Sequence, residues 1–372
     1  MIYYFAGMGF QLGKLKIFGS KKSAPGTVIG VDIGAASIKI AQVQLLKDRA
    51  VLSTYGELST GIYEGREIGR VVAPTDERLS QMLKDLLKES EATARAAAIA
   101  LPLRYGFMKM LELPQMPAAE IASTVQFEAR KYIPLPISEV NTSWEYIQLS
   151  PEEQQQKQGK IPILLTALQR EMESYYARIV DSVGLSSAVI ELEVSSAVRS
   201  VIGRIRTPTV VIDVGAATTK IAIVEQGSIR SVLGSERGGQ NLTLTLAQAM
   251  NVEFQRAEEM KRSSGIIDRP ETREVRATLL PVIDAIFQDV ERLRRHYQKT
   301  VGHDATKVIL VGGTALLPGL VEYAAQFFGL ETALGNPFML LEYPAAMEPI
   351  AKSIAPPFAV AVGLAFAGFN AR

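Results

Sequence analysis

The chain has 372 residues, 47% of them hydrophobic, and 40 Lys and Arg residues balance 39 Asp and Glu residues to a formal net charge of +1. This length exceeds what one hydrophobic core organises, so we expect two domains, while the balanced charge excludes attraction of nucleic acid or anionic membrane through an overall field. The sequence has no cysteine, which excludes disulfides and thiolate catalysis and favours a reducing, cytoplasmic environment.

Both ends of the chain are apolar without the pattern of a membrane segment. Residues 1–24 are apolar and basic but lack the apolar core and cleavage site of a signal peptide, so we expect a flexible tail. The apolar stretch from Ala355 to Gly368 contains Pro356 and Pro357 and is shorter than the roughly 20 residues of a membrane helix. We therefore expect a soluble protein without a membrane span.

An internal repeat is the strongest structural signal in the sequence. The segment VDIGAASIKIAQV at Val31 to Val43 matches IDVGAATTKIAIV at Ile212 to Val224 at eight of thirteen positions. Repeats this far apart indicate a duplicated domain, since the period of a solenoid is about 20 to 50 residues. Each copy predicts a β-hairpin with a Gly-Ala-Ala turn at the start of an α/β domain.

The first half continues with the apolar spacing of a helix from Arg78 to Leu87 and of a buried strand from Ala96 to Leu101. We assign residues 25–111 and 184–206 to the first domain. Between these two parts, residues 112–183 interrupt the duplication and predict a small inserted α+β unit.

The inserted unit is divided into segments by prolines and polar runs. Its predicted segments are a helix at Ala118 to Lys131, strands at Val140 to Leu149 and Ile161 to Leu168, and a helix at Glu171 to Val183. The polar run PEEQQQKQGK, from Pro151 to Lys160, predicts a solvated hairpin loop.

The second domain is predicted over residues 207–354 and is followed by a C-terminal helix over residues 355–372. Its predicted elements are helices at Leu242 to Met250, Phe254 to Ser263 and Arg273 to Thr300, and a strand at Lys307 to Val311. Pro281 predicts a kink or a restart in the longest of these helices.

The two hairpin turns have a chemical interpretation. Turns built of Gly and Ala let phosphate oxygens approach backbone N–H groups closely. The aspartates that precede them, Asp32 and Asp213, would repel phosphate, so we expect them to face each other across a cleft and hold Mg²⁺ through water. Two ordinary hairpins would explain each copy alone, but not why both carry the same Asp-x-Gly-Ala-Ala order.

A third turn, LVGGTALLPGL at Leu310 to Leu320, follows a buried strand and leads into a helix near Pro318. Gly312 and Gly313 predict a flat surface for adenine or ribose. The sequence contains neither the phosphate loop G-x-x-x-x-G-K-[ST] nor a G-x-G-x-x-G dinucleotide turn.

The order of these motifs resembles the superfamily of actin, heat-shock chaperones and sugar kinases, which implies a duplicated, actin-like (ribonuclease H-like) α/β ATPase fold. The stretch IELEVSSAVRS, from Ile190 to Ser200, resembles its first connecting helix, which implies that Glu193 polarises the attacking water. PPFAVAVGLAFAG near the end resembles the second connecting helix.

A narrower resemblance links the chain to FtsA and to the PilM family of type IV pilus assembly proteins. RGGQNLTLTLAQAMNVEFQRAEEMK resembles both, and VQFEARKYIPLPISEVNTSWEYI, from Val125 to Ile147, resembles a PilM signature. The first of these implies that Gly238, Gly239, Glu258 and Lys261 line the nucleotide. PilM first phosphate loops usually have Ser-Ser-Ser, whereas Ala35 and Ala36 precede Ser37 here, so we expect ATP binding with slow hydrolysis at most.

Turns and resemblance together predict a site for ATP and Mg²⁺, with both aspartates as metal residues. The predicted site residues are Asp32, Gly34, Ala35, Ala36, Ser37, Lys39, Asp213, Gly215, Ala216, Ala217, Thr218, Thr219, Lys220, Gly238, Gly239, Glu258, Lys261, Gly312, Gly313, Thr314 and Leu316, with Glu193 as the catalytic residue.

Family resemblance also implies the partners. The inserted unit and the first domain would receive the cytoplasmic N-terminal peptide of a PilN-like membrane protein, holding the chain at the inner membrane. Pilus motor ATPases and further copies of the chain are additional candidate partners, and nucleic acid is not.

Two alternatives stay open. An FtsA-like protein would polymerise and anchor division filaments, but the C-terminal amphipathic helix of FtsA has no counterpart before Arg372. A sugar-kinase-type phosphotransferase would need a carboxylate base beside a polar sugar pocket, whereas the inserted unit resembles a protein-binding module.

Overall fold

A computed structural model describes residues 26–47, 49–133, 135–156 and 159–370, so the predicted N-terminal tail lies outside the described residues. The strands are β1 (Thr27–Ile33), β2 (Ser37–Leu46), β3 (Arg49–Ser59), β4 (Ala96–Leu101), β5 (Gly106–Pro114), β6 (Val140–Tyr146), β7 (Lys160–Gln169), β8 (Ser186–Leu192), β9 (Thr209–Val214), β10 (Thr219–Glu225), β11 (Ser228–Ser235), β12 (Lys307–Val311) and β13 (Glu331–Leu334). The helices are α1 (Thr60–Tyr63), α2 (Asp76–Glu89), α3 (Ala118–Ala129), α4 (Pro151–Gln156), α5 (Arg170–Ser182), α6 (Glu193–Ile202), α7 (Gly239–Met250), α8 (Phe254–Ser264), α9 (Arg273–Val301), α10 (Leu320–Phe328), α11 (Glu348–Ile354) and α12 (Ala359–Asn370).

Two five-stranded sheets have the same topology. The first has the order β3-β2-β1-β4-β8 and the second the order β11-β10-β9-β12-β13. In each, an antiparallel hairpin is extended by parallel strands, β1 with β4 and β9 with β12. The predicted duplicated α/β fold is therefore confirmed, and the repeated segments form the equivalent hairpins β1-β2 and β9-β10.

Helix α2 shows how local sequence fixes an element of the first domain. The Thr75 hydroxyl caps its N-terminus by accepting a hydrogen bond from the Arg78 N–H at 3.4 Å. Asp76 and Glu77 occupy the first turn, where their negative charges interact favourably with the positive end of the helix dipole. Its apolar stripe packs into the core of the first sheet through Leu79, Met82, Leu83 and Leu86.

A third sheet, with the order β5-β7-β6, forms the inserted unit with α3. It begins at Gly106, before the predicted boundary at residue 112. Helix α5 instead buries Tyr176, Ile179 and Val180 in the core of the first domain. From this packing we propose that the inserted unit spans Gly106 to Gln169, and that α5 belongs to the first domain.

The predicted loop at Pro151 to Lys160 is wrong over its first part, because α4 occupies Pro151–Gln156. The Glu153 carboxylate accepts a hydrogen bond from the Ser150 N–H at 2.9 Å, and the Ser150 hydroxyl accepts one from the Glu153 N–H at 3.2 Å. This is a capping box with proline at the first helical position. The buried Glu153 also pairs with Arg230 of the second domain at 3.0 Å.

Helix α9 runs without a break from Arg273 to Val301, so the restart predicted at Pro281 does not occur. The Pro281 ring lies on the exposed face. The buried stripe continues on both sides of it through Leu279, Ile283 and Ile286, and this packing offsets the hydrogen bond lost at proline.

The two connecting helices, α6 and α12, cross closely. A Cβ on Gly363 would lie 1.8 Å from the Ser196 carbonyl oxygen, so this crossing requires glycine. The predicted first connecting helix starts three residues too early, because Ile190–Leu192 end strand β8. Among the described residues no single helix has the length and hydropathy to cross a membrane; one pair, Ala345–Ala351 with Pro356–Phe369, has them only jointly and bends by 97°.

Candidate functional site

The two hairpin turns have the same backbone geometry. The Gly34 N–H donates to the Ser37 carbonyl at 3.0 Å, and the Gly215 N–H donates to the Thr218 carbonyl at 3.0 Å. A Cβ on either glycine would lie 2.9 Å from the same carbonyl, so both turns need glycine. Within the described residues, the backbone N–H groups of the Ala-Ala pairs at 35–36 and 216–217 donate to no protein acceptor. These turns can therefore offer free donors to an anion.

Each turn is preceded by an aspartate that pairs across the hairpin with a lysine, Asp32 with Lys39 and Asp213 with Lys220. Burial raises the pKa of Asp32 to about 7; Lys39 and Lys220 oppose this shift, and the negative charges of Glu193 and Asp213 add to it. The negative charge of Asp213 in the second hairpin thus contributes to the raised pKa of Asp32 in the first.

In the second hairpin the lysine is held by acidic side chains. Lys220 Nζ lies 2.8 Å from Glu193 Oε2 and 3.5 Å from Asp213 Oδ2. Burial alone would lower the pKa of Lys220, but the carboxylates of Glu193 and Asp213 outweigh it and raise that pKa. Glu193 Oε1 accepts a hydrogen bond from the Leu103 N–H at 2.9 Å. Both oxygens of the predicted catalytic carboxylate are therefore occupied by protein donors.

In the first hairpin the lysine has weaker partners. Lys39 Nζ donates to the Ser37 hydroxyl at 2.5 Å and lies 3.2 Å from Glu57 Oε1. The Glu57 side chain is 45% exposed, so solvent screens this ion pair. Lys39 is therefore held by a more strongly screened ion pair than Lys220, whose partner Glu193 is only 11% exposed.

The glycines of α7 pack directly on the second turn. The Gly239 N–H donates to the Gly215 carbonyl and the Gln240 N–H to the Ala216 carbonyl, both at 2.9 Å. A Cβ on Gly238 would lie 2.6 Å from the Ala216 carbonyl oxygen. The predicted residues Gly238 and Gly239 are thus brought against the turn of the second hairpin.

The third turn joins the same site. Gly312 has φ of +88°, and a Cβ there would lie 2.4 Å from Asp213 Oδ1. The Thr314 hydroxyl donates to the Gly215 carbonyl at 3.2 Å. Gly313 faces open space, and Leu316, in the short 3₁₀ segment Gly313–Leu316, is 38% exposed. The structure therefore brings Gly312 and Thr314 beside the second hairpin.

Glu258 and Lys261 are buried and bind each other rather than presenting free side chains. Lys261 Nζ lies 2.6 Å from Glu258 Oε2, 2.8 Å from the Thr243 hydroxyl and 3.1 Å from the Gly239 carbonyl oxygen. Burial lowers the pKa of Lys261, while Lys261 outweighs burial and lowers the pKa of Glu258. The pair fixes the start of α7 through the Gly239 carbonyl and the Thr243 hydroxyl.

A segment that sequence reasoning missed crosses the cleft. The Val71 N–H donates to Gln240 Oε1 at 2.6 Å, and the Val72 N–H donates to the Ala35 carbonyl at 3.3 Å. The Arg70 guanidinium lies 3.9 Å from the centre of the Phe254 ring. We call residues 69–72 the bridging segment. It has no hydrophobic period or motif that could have identified it.

The donor set fits a magnesium ion that keeps most of its water. Within the described residues, no group of three or more His, Asp or Glu side chains could hold a metal by itself. Mg²⁺ is usually held by one or two carboxylates together with waters and substrate phosphates. Asp32 and Asp213, one beside each turn, can provide such carboxylates.

Comparisons with known proteins agree with this geometry. The family model "Type IV pilus assembly protein PilM" matches residues 30–369. A solved structure titled "PilM-PilN type IV pilus biogenesis complex" is 24% identical, covering 92% of this chain and 98% of its own, with a TM-score of 0.76. This likeness shows the fold.

Two curated relatives match over shorter regions. Ethanolamine utilization protein EutJ of Escherichia coli (strain K12) is 31% identical over 125 residues, which are 33% of this chain and 40% of EutJ. Cell division protein FtsA of Pseudomonas aeruginosa is 26% identical over 147 residues, 34% of this chain and 35% of FtsA. The match thus spans less than half the length of either relative.

Proposed function

Since the chain belongs to the PilM family of type IV pilus assembly proteins, we propose that it binds ATP with Mg²⁺ between its two hairpin turns. We further propose that it captures the N-terminal peptide of a PilN-like inner-membrane protein, and that nucleotide state switches this assembly component. The observation that carries the nucleotide site is the pair of equivalent turns, each with unbonded N–H groups and a neighbouring aspartate.

Each part of the cleft would contact a different part of the nucleotide. The Gly-Ala-Ala turns would donate to phosphate oxygens, with Ser37 and the Thr218-Thr219 pair beside them. Asp32 and Asp213 would hold Mg²⁺ through water, and the metal would neutralise phosphate charge. Gly238, Gly312 and the exposed Leu316 would lie toward the base and ribose. Ala35 and Ala36 offer no hydroxyl to phosphate or metal, so we expect hydrolysis to be slow.

Hydrogen exchange tests the assignment of the turns directly. Backbone N–H groups without an acceptor exchange rapidly, and a bound phosphate should protect them. We expect saturating Mg-ATP to slow exchange in residues 34–37 and 215–219, while the outer face of α2 (Asp76–Glu89) serves as an internal control. Binding without protection of either turn would show that the nucleotide lies elsewhere.

The peptide partner is proposed for the inserted unit together with the first domain. Helix α3 exposes 61% of Phe127, and Tyr132 just beyond it is 39% exposed. Lys131 lies 5.4 Å from the Phe127 ring and Lys109 lies 4.8 Å from the Tyr132 ring. Exposed aromatic side chains flanked by cations are suited to anchor a peptide, in which a few buried side chains supply most of the affinity. Such a partner would hold the chain at the inner membrane.

Strand register sets the ends of a deletion for this test, which also removes Ile147, Leu164 and Leu168 from the first core and Glu153 from its pair with Arg230. Gly106 pairs directly with Leu168, and paired residues of antiparallel strands lie about 5 Å apart. A short Gly-Ser linker can therefore join Tyr105 to Arg170 while α5 stays in the first core. The predicted boundaries of 112–183 would have removed that core helix.

We expect the intact chain to retain the N-terminal cytoplasmic peptide of a PilN-like protein and the deletion variant to lose it. The single substitution Phe127→Ser should weaken binding about tenfold, and Leu244→Ser on α7, which also replaces an exposed apolar side chain, serves as its control. Mg-ATP binding checks that each variant folds. Equal peptide binding by a folded deletion variant would place the partner site elsewhere.

A second candidate function is filament formation, favoured by the region shared with FtsA. It predicts sedimentable polymers of the purified chain with Mg-ATP at micromolar protein. A monomeric or small oligomeric state under those conditions would dismiss it.

A further inference from the structure

The duplicated lysines of the two hairpins have different surroundings, and this difference bears on the fate of bound ATP. We propose that Lys220 is a positioning residue that holds Glu193 away from the attacking water, so that the cleft retains ATP instead of hydrolysing it. This inference rests on the nucleotide site proposed above. Lys39, whose ion pair is screened by solvent, is then the lysine that contacts phosphate.

The first supporting observation is the full engagement of Glu193. Its Oε2 pairs with Lys220 Nζ at 2.8 Å, and its Oε1 accepts the Leu103 N–H at 2.9 Å. Leu103 precedes β5, so this second bond fixes the carboxylate to the root of the inserted unit. Both side chains of the Glu193–Lys220 pair are only 11% exposed. Separating the two side chains of a buried ion pair leaves a buried charge without its partner, which costs free energy. The pair therefore holds Glu193 in place.

The second supporting observation is the contrast with the first hairpin. Lys39 occupies the position equivalent to Lys220, directly across from its aspartate. It binds a hydroxyl and the half-exposed Glu57. The shared sequence motif is therefore not sufficient to pair its lysine with a buried glutamate. In the second hairpin this pair forms because Glu193, the first residue of α6, lies against Lys220.

Chemistry explains why this pairing slows hydrolysis. In hydrolysis the water oxygen bonds to the γ-phosphorus, and the bond from that phosphorus to the β–γ bridging oxygen breaks, leaving its electron pair on ADP. A base must take up the proton that the water loses. Because Glu193 Oε2 is paired with the Lys220 ammonium and Glu193 Oε1 accepts the Leu103 N–H, neither oxygen is free to accept a hydrogen bond from that water.

Replacing Lys220 by an uncharged side chain of similar length is the test. We expect Lys220→Met to raise turnover of saturating Mg-ATP at least tenfold, because Glu193 is freed to accept a proton. The double variant Lys220→Met/Glu193→Gln should lose at least tenfold of that gain.

Lys39→Met is the matched control, since it removes the equivalent lysine from the first hairpin. It should weaken Mg-ATP binding without raising turnover. If Lys220→Met does not fold, Lys220→Gln keeps a hydrogen-bond donor but removes the charge, and a rise of at least threefold is expected.

Measuring both Mg-ATP binding and turnover distinguishes failure of the role proposed for Lys220 from failure of the proposed nucleotide site. A folded Lys220 variant that binds Mg-ATP but turns it over no faster than the unmodified chain would overturn the role of Lys220. The role of Lys220 would also be overturned if the double variant Lys220→Met/Glu193→Gln kept the full increase in turnover of Lys220→Met. Absence of Mg-ATP binding by the unmodified chain would instead contradict the proposed nucleotide site.

Discussion

The two hairpins, β1-β2 and β9-β10, share eight of thirteen residues, the same register and the same turn hydrogen bond. Their charged groups nevertheless differ. The first hairpin carries a lysine paired with the half-exposed Glu57 and an aspartate whose pKa burial raises to about 7. The second carries a lysine fixed between Glu193 and Asp213. One backbone motif therefore supports two electrostatic environments, which are set by the elements packed behind each copy.

The largest expected effect comes from removing one carboxylate at a time. Because burial raises the pKa of Asp32 to about 7, Asp32 is less readily ionised near neutral pH than a free aspartate, so we expect Asp213 to carry more of the interaction with Mg²⁺. Losing a metal-orienting group typically costs 10- to 100-fold in metal affinity. We expect Asp213→Asn to weaken Mg-ATP binding about 100-fold and Asp32→Asn about tenfold. The difference between the affinity losses of the two variants should be smaller at pH 8.5. Equal losses of Mg-ATP affinity at pH 6.5 would contradict the electrostatic difference between the hairpins.

The second prediction concerns stability and isolates the first hairpin. The pKa of Asp32 rises on folding from 3.8 to about 7, so between these pH values the folded chain holds a proton that the unfolded chain releases. The free energy of unfolding contributed by Asp32 is therefore lost as pH rises through 7.

Asp32→Asn should accordingly be more stable than the unmodified chain at pH 8, and this advantage should disappear near pH 4. We expect the difference between the two pH values to be about 1 to 2 kcal/mol, since water in the cleft reduces the full effect. Denaturant unfolding at each pH measures it, with Asp213→Asn as the matched variant. A constant difference across this pH range would show that Asp32 titrates normally.

The smallest expected effect concerns the bridging segment, which joins the first turn to α7. Gln240→Ala removes the acceptor for the Val71 N–H, and a hydrogen bond of this kind contributes about 1 kcal/mol. We expect release of a fluorescent ATP analogue to accelerate about three- to fivefold while its association rate changes little. The exposed Gln255→Ala on α8 is the control, and equal release rates would show that the segment does not cover the nucleotide.

Because the chain has no cysteine, a Val71→Cys/Gln240→Cys pair joined by a short, reducible dithiol cross-linker can sharpen this test. Cross-linking after loading should trap the nucleotide, and reduction should free it. Trapping that is insensitive to reductant would rule out the bridging segment as its cause.

Local patterns made much of the fold predictable. The repeat predicted two equivalent sheets, and apolar spacing placed α2 (Asp76–Glu89), β4 (Ala96–Leu101) and α9 (Arg273–Val301) within two residues of each end. The capping signal Ser150-Pro-Glu-Glu was present in the sequence, but the polar composition after it favoured a loop. Continuation of α9 through Pro281 depended on packing that no local pattern reports.

The chemistry of the site was less predictable, because it depends on distant residues. The turns, both aspartates and Gly238-Gly239 follow from motifs and come together in the structure. Pairing of Lys220 with Glu193 joins β10 to α6, and the contact of Val71 with Gln240 spans 169 positions of sequence. Neither contact has a local pattern. The burial of Glu258 and Lys261 against each other likewise follows from how α8 packs on α7.

A calorimetric titration of the purified chain with ATP measures whether the two equivalent hairpins form one nucleotide site. If they do, we expect one ATP to bind per chain with Mg²⁺, much weaker binding in EDTA, and loss of measurable binding in the double variant Asp32→Asn/Asp213→Asn. No heat at millimolar ATP with Mg²⁺, or unchanged binding by a folded double variant, would contradict it.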